Sequence, residues 1–123
     1  MTNHWKKLEP ITESSYLLEK IVEDEAGLHL IFINELNTRE KKYVDFVTRI
    51  FSYKVTNLHY QKKIQLSNLP QNGLFFVVHN STYKQYFIDK KIFSANDFIQ
   101  ISCITKEVLI DILTSSLPAI ILK

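Results

Sequence analysis

The sequence contains little glycine, proline or cysteine: two glycines, three prolines and one cysteine in 123 residues. Because glycine occupies most left-handed turn positions, its scarcity argues against a barrel or sandwich built from many tight turns. It also excludes the usual glycine-rich phosphate-binding loops. The single cysteine, Cys103, excludes an internal disulfide bond and a cysteine-based zinc site.

Long apolar runs are missing as well. The longest, residues 28–33 and 74–78, fall far short of the roughly 20 residues needed to span a bilayer. Residues 1–10 lack the apolar stretch of a signal peptide. The sequence therefore predicts no membrane association and a cytoplasmic location.

The composition is that of a globular domain, with 46 % hydrophobic and 23 % charged residues, and the length fits one domain over residues 1–123. The net charge of +2 is unevenly distributed. Residues 9–25 carry six acids and one base, whereas residues 39–91 carry ten bases and three acids. Such a dipolar pattern can support recognition of a charged partner.

In the first half of the chain, alternating apolar residues predict strands over 16–23 and 28–34, joined in a hairpin by a short glycine-bearing turn. Residues 14–23 also fit a helical face, so a helix there is the alternative. Residues 1–12 are predicted to form an irregular arm.

Residues 43–55 carry apolar side chains on both parities, which predicts a long central strand or one that bends midway. Residues 58–66 predict a weak edge strand, and residues 68–73 predict a loop.

In the second half, strands are predicted over 74–79 and 98–104. Asn80 or Ser81 is predicted to cap a helix that runs through Lys90. A second helix is predicted from Lys106 to about Thr114, with Thr105 as N-cap and residues 108, 109, 112 and 113 on its buried face. Residues 120–122 predict an extended tail. The predicted fold class is α+β, an antiparallel β-sheet meander with two short helices packed on it.

A catalytic or metal site is not indicated. None of the four histidines has zinc-ligand spacing, and His29 and His79 are interpreted as sheet-face residues. Cys103 could act as a nucleophile with His79 as its base. Because Cys103 alternates with aliphatic residues, we interpret it instead as a buried core residue. We therefore predict no enzyme activity, no metal and no cofactor.

Two groups of residues are candidates for partner binding. Glu23, Asp24 and Glu25 lie at the predicted hairpin tip, where a charged run suits docking. Tyr83 and Tyr86 lie three residues apart on the first predicted helix, and tyrosine is common at protein interfaces. The alternative is nucleic-acid binding through residues 41–63, where lysines alternate with aromatic residues.

Several segments together resemble a known class of protein. They are His79-Asn80-Ser81-Thr82-Tyr83-Lys84-Gln85-Tyr86-Phe87, then residues 98–105, then residues 107–113 before Pro118, with residues 51–57 upstream. The resemblance is to small bacterial immunity-type proteins, which protect a cell from the toxic C-terminal domain of a polymorphic or contact-dependent toxin. It covers about residues 43–118 and implies a non-enzymatic inhibitor that binds one cognate toxin domain.

No toxin-contacting residue can be assigned from the resemblance, because contact residues in that class vary with the toxin. Inhibitors of nuclease toxins are commonly acidic, whereas this chain is slightly basic, so a nuclease would have to contact the acidic segment 9–25. The expected mechanism is occlusion of the toxin by a preformed surface. The expected oligomeric state is a monomer, or a homodimer formed by strand pairing near residues 60–66.

Overall fold

The computed structural model describes residues 4–7, 16–46, 50–60, 69, 74–79, 81–91 and 98–122. Within these residues the chain forms nine β-strands and one α-helix. The elements are β1 (His4–Lys7), β2 (Tyr16–Asp24), β3 (Gly27–Asn34), β4 (Lys41–Phe46), β5 (Ile50–Asn57), β6 (Phe75–His79), α1 (Thr82–Asp89), β7 (Ile99–Ile104), β8 (Val108–Thr114) and β9 (Ala119–Leu122).

The strands form two antiparallel sheets. The five-stranded sheet has the order β1-β6-β7-β8-β5, and the four-stranded sheet has the order β2-β3-β4-β9. Strands account for 64 % of the described residues. The predicted α+β class is therefore wrong: the described part of the chain is mostly β, with two sheets and a single α-helix. It is not one meander either, because β1 and β5 flank the sequential β6-β7-β8.

The hydrophobic core lies between the two sheets. In β3 the residues Leu28, Leu30 and Phe32 are almost completely buried, while the residues between them are only half-buried. The phenyl rings of Phe32 and Phe75 meet edge-on across the sheets, with 5.5 Å between their centroids. This alternation is expected where one face of a sheet packs on another sheet and the other face does not.

The opposite face of the five-stranded sheet carries α1. Ser81 caps this helix, since its hydroxyl accepts a hydrogen bond from the Lys84 N–H. The ring of Phe87 packs edge-on against Phe51 at the β5 bulge, with 4.9 Å between centroids. The predicted first helix is therefore confirmed, with Ser81 rather than Asn80 as its cap.

The predicted second helix is wrong, because Val108–Thr114 is strand β8. The Thr105 hydroxyl accepts hydrogen bonds from the N–H groups of Glu107 and Val108 and so caps the turn between β7 and β8. Residues 110–114 are all buried, because one face of β8 lies in the core and the other faces the α1 side of the sheet. A strand buried on both faces loses the polar alternation that distinguishes it from a helix.

The β2–β3 hairpin is confirmed, and the alternative helix over 14–23 is wrong for residues 16–23, which lie in β2. The predicted long strand over 43–55 is two strands, β4 and β5, which belong to different sheets. Residues 47–49, within the predicted strand, lie outside the described residues.

Both ends of the chain differ from the prediction. Residues 4–7, assigned to an irregular arm, form β1, which pairs with β6. The predicted tail forms β9, which pairs with β4. Residues 58–60 form a 3₁₀ turn rather than a strand, while residues 61–66 and most of the predicted loop over 68–73 lie outside the described residues. The strands predicted over 74–79 and 98–104 are confirmed as β6 and β7.

Candidate partner-binding surfaces

The acidic hairpin tip consists of Glu23, Asp24 and Glu25, all exposed at the turn between β2 and β3. Gly27 closes the turn with a φ of 125°, a left-handed value that favours glycine. The Asp24 carboxylate accepts a hydrogen bond from the Ala26 N–H at 2.8 Å. The sequence therefore located this exposed acidic tip correctly.

His29 fixes the tip to the rest of the sheet. Its Nε2 lies 3.0 Å from Asp24 Oδ1, and its Nδ1 lies 2.8 Å from Asp45 Oδ1 on β4. The hydrogen bond to Asp45 is the main reason that the pKa of His29 is raised above its usual value, and the hydrogen bond to Asp24 adds to the effect. The hydrogen bond from His29 in turn lowers the pKa of the Asp24 carboxyl. The ring is therefore favoured as a cation between two carboxylates, which gives Asp24 a fixed orientation.

The outer face of the four-stranded sheet, away from the core, carries an apolar row. Ile31 on β3, Tyr43 on β4 and Ile121 on β9 lie directly opposite one another across the three strands. Ile31 and Tyr43 are half-buried, while Ile121 is 42 % exposed. We call these three residues the outer apolar row.

Charged groups border the outer apolar row on both sides. On one side Lys41 Nζ pairs with Glu19 Oε1 at 3.0 Å. On the other side lies the cluster formed by His29, Asp45 and Asp24. An apolar centre with a polar rim is the usual anatomy of a protein–protein interface. Sequence analysis missed this row because it depends on β9, which the sequence indicated only as a tail.

The two tyrosines of α1 occupy different environments. Tyr83 is half-buried, with its hydroxyl 2.6 Å from Ser52 Oγ and Lys54 Nζ 4.6 Å from its ring centroid. Burial is the main reason that the pKa of the Tyr83 hydroxyl is raised. Tyr86, by contrast, is 56 % exposed. Only Tyr86 therefore presents a mostly exposed aromatic ring on this helix.

The structure does not bring the two predicted groups of contact residues together. The acidic tip belongs to the four-stranded sheet, whereas α1 packs on the far face of the five-stranded sheet. The two groups thus lie in the outermost layers of a three-layer arrangement.

A buried polar network joins α1 to the five-stranded sheet. Asp111 Oδ1 accepts hydrogen bonds from Ser102 Oγ at 2.6 Å and from Gln100 Nε2 at 2.9 Å. Ser81, the helix cap, donates its hydroxyl to Gln100 Oε1. Burial is the main cause of the raised pKa of Asp111, and the hydrogen bond from Ser102 partly opposes it. Sequence analysis missed this network because it placed Asp111 on a helix; the polar pair Gln100 and Ser102 within an otherwise apolar strand is the available signal.

The cysteine–histidine pair is not formed. Cys103 is fully buried in the core, as predicted, and lies opposite Phe75 in the β6–β7 register. His79 is exposed four residues further along β6, a distance of about 13 Å along a strand. Within the described residues, no three His, Cys, Asp or Glu side chains are grouped so that they could hold a metal ion.

The basic residues of the segment 41–63 lie on different faces wherever the structure describes them. Lys41 is on the outer face of the four-stranded sheet, paired with Glu19. Lys42 is buried, with its Nζ 4.8 Å from the ring centroid of Tyr16. Lys54 lies on the α1 side of the other sheet. Arg49, Lys62 and Lys63 are outside the described residues, and the three described lysines do not share one face.

Comparison with known proteins gives no match: the chain matches no protein-family model, no curated protein and no solved structure. No activity or partner is therefore transferred to it from a relative. In the part of the chain that the structure describes, no helix combines the length and hydrophobicity needed to cross a bilayer. Over the residues that the structure describes, the fold is a pair of antiparallel β-sheets with one packed helix and a charge-bordered apolar outer row.

Proposed function

We propose that this protein is an immunity-type protein that acts in the cytoplasm. It binds the toxic C-terminal domain of a cognate bacterial toxin and blocks that domain by covering its active site or substrate groove. The observation that supports this proposal best is the outer apolar row of Ile31, Tyr43 and Ile121, bordered by charges and close to the acidic hairpin tip. The resemblance of residues 43–118 supplies the class of partner.

The proposed contact surface is the outer face of the four-stranded sheet together with the acidic tip. Buried apolar and aromatic residues at the centre of an interface supply most of the binding energy. Charges at the rim mainly accelerate association and select the partner. Because the tip carries three carboxylates, the partner surface that it meets is basic. Tyr83 and Tyr86 lie on the opposite side of the molecule and are not part of this contact.

The partner must first be identified. We would capture the tagged protein from its native host and look for a C-terminal fragment of a large secreted protein. The captured fragment is then expressed alone and together with this protein. Growth arrest by the fragment and rescue by coexpression are the expected results; arrest without rescue would contradict the proposal.

Variants then locate the contact. Tyr43→Asp and Ile121→Asp place a charge in the outer apolar row, so each should accelerate dissociation at least tenfold, a loss of about 1.4 kcal/mol. Tyr86→Asp is the matched control, because Tyr86 is an exposed aromatic residue on the opposite layer, and it should leave the kinetics unchanged. The assignment fails if the control weakens binding while the variants in the row do not.

Charge reversal at the acidic tip tests electrostatic steering separately. Glu23→Lys and Glu25→Lys should slow association and flatten its dependence on salt, because exposed rim charges act on the encounter step. Dissociation should change little. Unchanged association kinetics would remove the acidic tip from the proposed contact surface, even if binding through the row persists.

A further inference from the structure

Among the described strands, four lie at sheet edges: β1 and β5 in the five-stranded sheet, and β2 and β9 in the four-stranded sheet. An edge strand presents unpaired backbone N–H and C=O groups, and proteins protect such edges with charged side chains, prolines or bulges. The protection of each edge can be read from its sequence and its register. An edge that has no charge, proline or bulge is a candidate for pairing with another strand.

Three of the four edges are protected. β1 contains Lys6 and Lys7 in a strand of only four residues. β2 has a bulge between Leu18 and Lys20 and carries several charged side chains. β5 has a bulge between Ile50 and Ser52 and also contains a lysine. Each feature disfavours the approach of a further strand.

β9 shares only the short length of β1. Its sequence, Ala119-Ile120-Ile121-Leu122, contains no charge and no proline, and its pairing with β4 has a regular register. No described strand pairs with its other side. Ile121 is 42 % exposed on the outer face, next to Tyr43 of β4. Apart from its short length, this apolar edge has none of the protective features, and no strand of the described residues covers it.

We propose that β9 pairs antiparallel with β9 of a second copy of this chain, which joins the two four-stranded sheets into one sheet of eight strands. Such a contact is isologous, because the same residues contribute from both copies. β9 is suited to it because a strand without charges places no like charges opposite each other, whichever residue lies at the two-fold axis.

The geometry of antiparallel pairing determines which faces and residues of the two copies meet. The two-fold axis runs perpendicular to the sheet, so the outer face of one copy continues into the outer face of the other. Ile121 then lies opposite either Ile121 or Ala119 of the second copy, and the two outer apolar rows merge into one surface. The inference is independent of the proposed function, since it requires no toxin.

A four-residue edge buries little surface, less than the roughly 1,200 Å² at the lower end of stable interfaces. The dimer is therefore expected to be weak and dependent on concentration. Sedimentation of the wild-type protein over about a hundredfold range of concentration should show the mass rise from one protomer towards two. Over the same range, amide exchange in residues 119–122 should slow, because their outward N–H groups become paired.

Ile121→Lys should abolish both effects, since a long charged side chain on each copy disfavours pairing at the edge. Leu36→Lys is the matched control, because Leu36 is 85 % exposed in the loop between β3 and β4 and belongs to no edge strand; it should dimerise as the wild type does. A monomer at every concentration, or a dimer that Ile121→Lys leaves intact, would overturn the proposal. So would protection of β9 that appears only when a toxin domain is added.

Discussion

The buried carboxylate of Asp111 allows a sharp test of what holds α1 on the sheet. Asp111 is 5 % exposed, and its two donors, Ser102 and Gln100, are 0 % and 1 % exposed. Both donate to the same oxygen, Oδ1. Replacing Asp111 by alanine therefore removes the acceptor and leaves two buried donors without it.

The expected loss can be estimated from these contacts. A buried donor without a partner costs about 1–3 kcal/mol. Gln100 Nε2 still donates to Ser102 Oγ at 2.9 Å, so the Ser102 hydroxyl is the donor that loses its acceptor outright. We therefore expect Asp111→Ala to lower the free energy of unfolding by about 3 kcal/mol in total. For a domain of this size that corresponds to a fall in Tm of roughly 10 °C. Urea-induced unfolding, followed by circular dichroism, measures the free energy directly.

Asp111→Asn should behave differently. Its amide oxygen can occupy the position of Oδ1 and accept both hydrogen bonds, while the buried negative charge disappears. Since burial raises the pKa of Asp111 above its ordinary value of 3.8, the charged form is disfavoured in the folded protein. We expect the Asn variant to be at least as stable as the wild type at pH 7.

The raised pKa of Asp111 also predicts the direction in which stability changes with pH. At pH values between 3.8 and the raised pKa, the folded state binds more protons at Asp111 than the unfolded state does, so stability falls as the pH rises through this window. The stability gained by Asp111→Asn should therefore grow over the same window and stay constant above it. If Asn destabilises the protein as much as Ala does at pH 7, the negative charge itself is stabilising, through Lys54, and the reasoning is refuted.

Two further predictions concern the helix cap and the hairpin. Ser81→Ala removes the N-cap and the donor to Gln100, so it should cost about 1–2 kcal/mol in urea unfolding and accelerate amide exchange in α1; unchanged exchange would mean that the cap is not limiting. Because the pKa of His29 is raised in the folded state, protonated His29 should stabilise the protein fully below pH 6.5, and this stabilisation should be lost as the pH rises through the folded pKa. An NMR titration of His29 should show a lower pKa in Asp45→Asn than in the wild type. An unchanged pKa would contradict the assigned contact between His29 and Asp45.

The β2–β3 hairpin was predictable because only one of its faces is buried. Leu28, Leu30 and Phe32 point into the core, and the residues between them are more exposed, so the period of two is visible in the sequence. The start of α1 was predictable for a local reason as well, since the Ser81 side chain caps its own helix. Both features depend on residues that are close in sequence, so they could be predicted from the sequence alone.

β8 and β9 were not predictable for a different reason, because tertiary contacts determine both. In β8 the apolar residues Val108, Leu109, Ile112 and Leu113 follow helical spacing only because both faces of the strand are covered. The pairing of β9 with β4 joins Asp45 to Ala119 across most of the chain. The outer apolar row depends on that pairing, so this candidate surface could not be predicted either.

The scarcity of glycine was misleading because polar side chains close turns in this protein. Asn34 Oδ1 accepts hydrogen bonds from the N–H groups of Leu36 and Asn37 in the β3–β4 loop. Thr105 does the same between β7 and β8. Asn, Asp and Thr side chains can replace backbone turn contacts without requiring a left-handed residue. A two-sheet fold is therefore compatible with two glycines.

The fold also separates the charges that the sequence places close together. Residues 16–46, which form β2, β3, β4 and their loops, contain seven carboxylates and four lysine or arginine residues. Of these four, Lys41 is paired with Glu19 and Lys42 is buried. A chain with a net charge of +2 thus presents an acidic layer next to its outer apolar row. Net charge is a poor guide to a partner when the charges are segregated by layer, because an approaching surface experiences the local field. Under the proposed function, the slight basicity of the whole chain is therefore no argument against a basic toxin domain, such as one that binds nucleic acid.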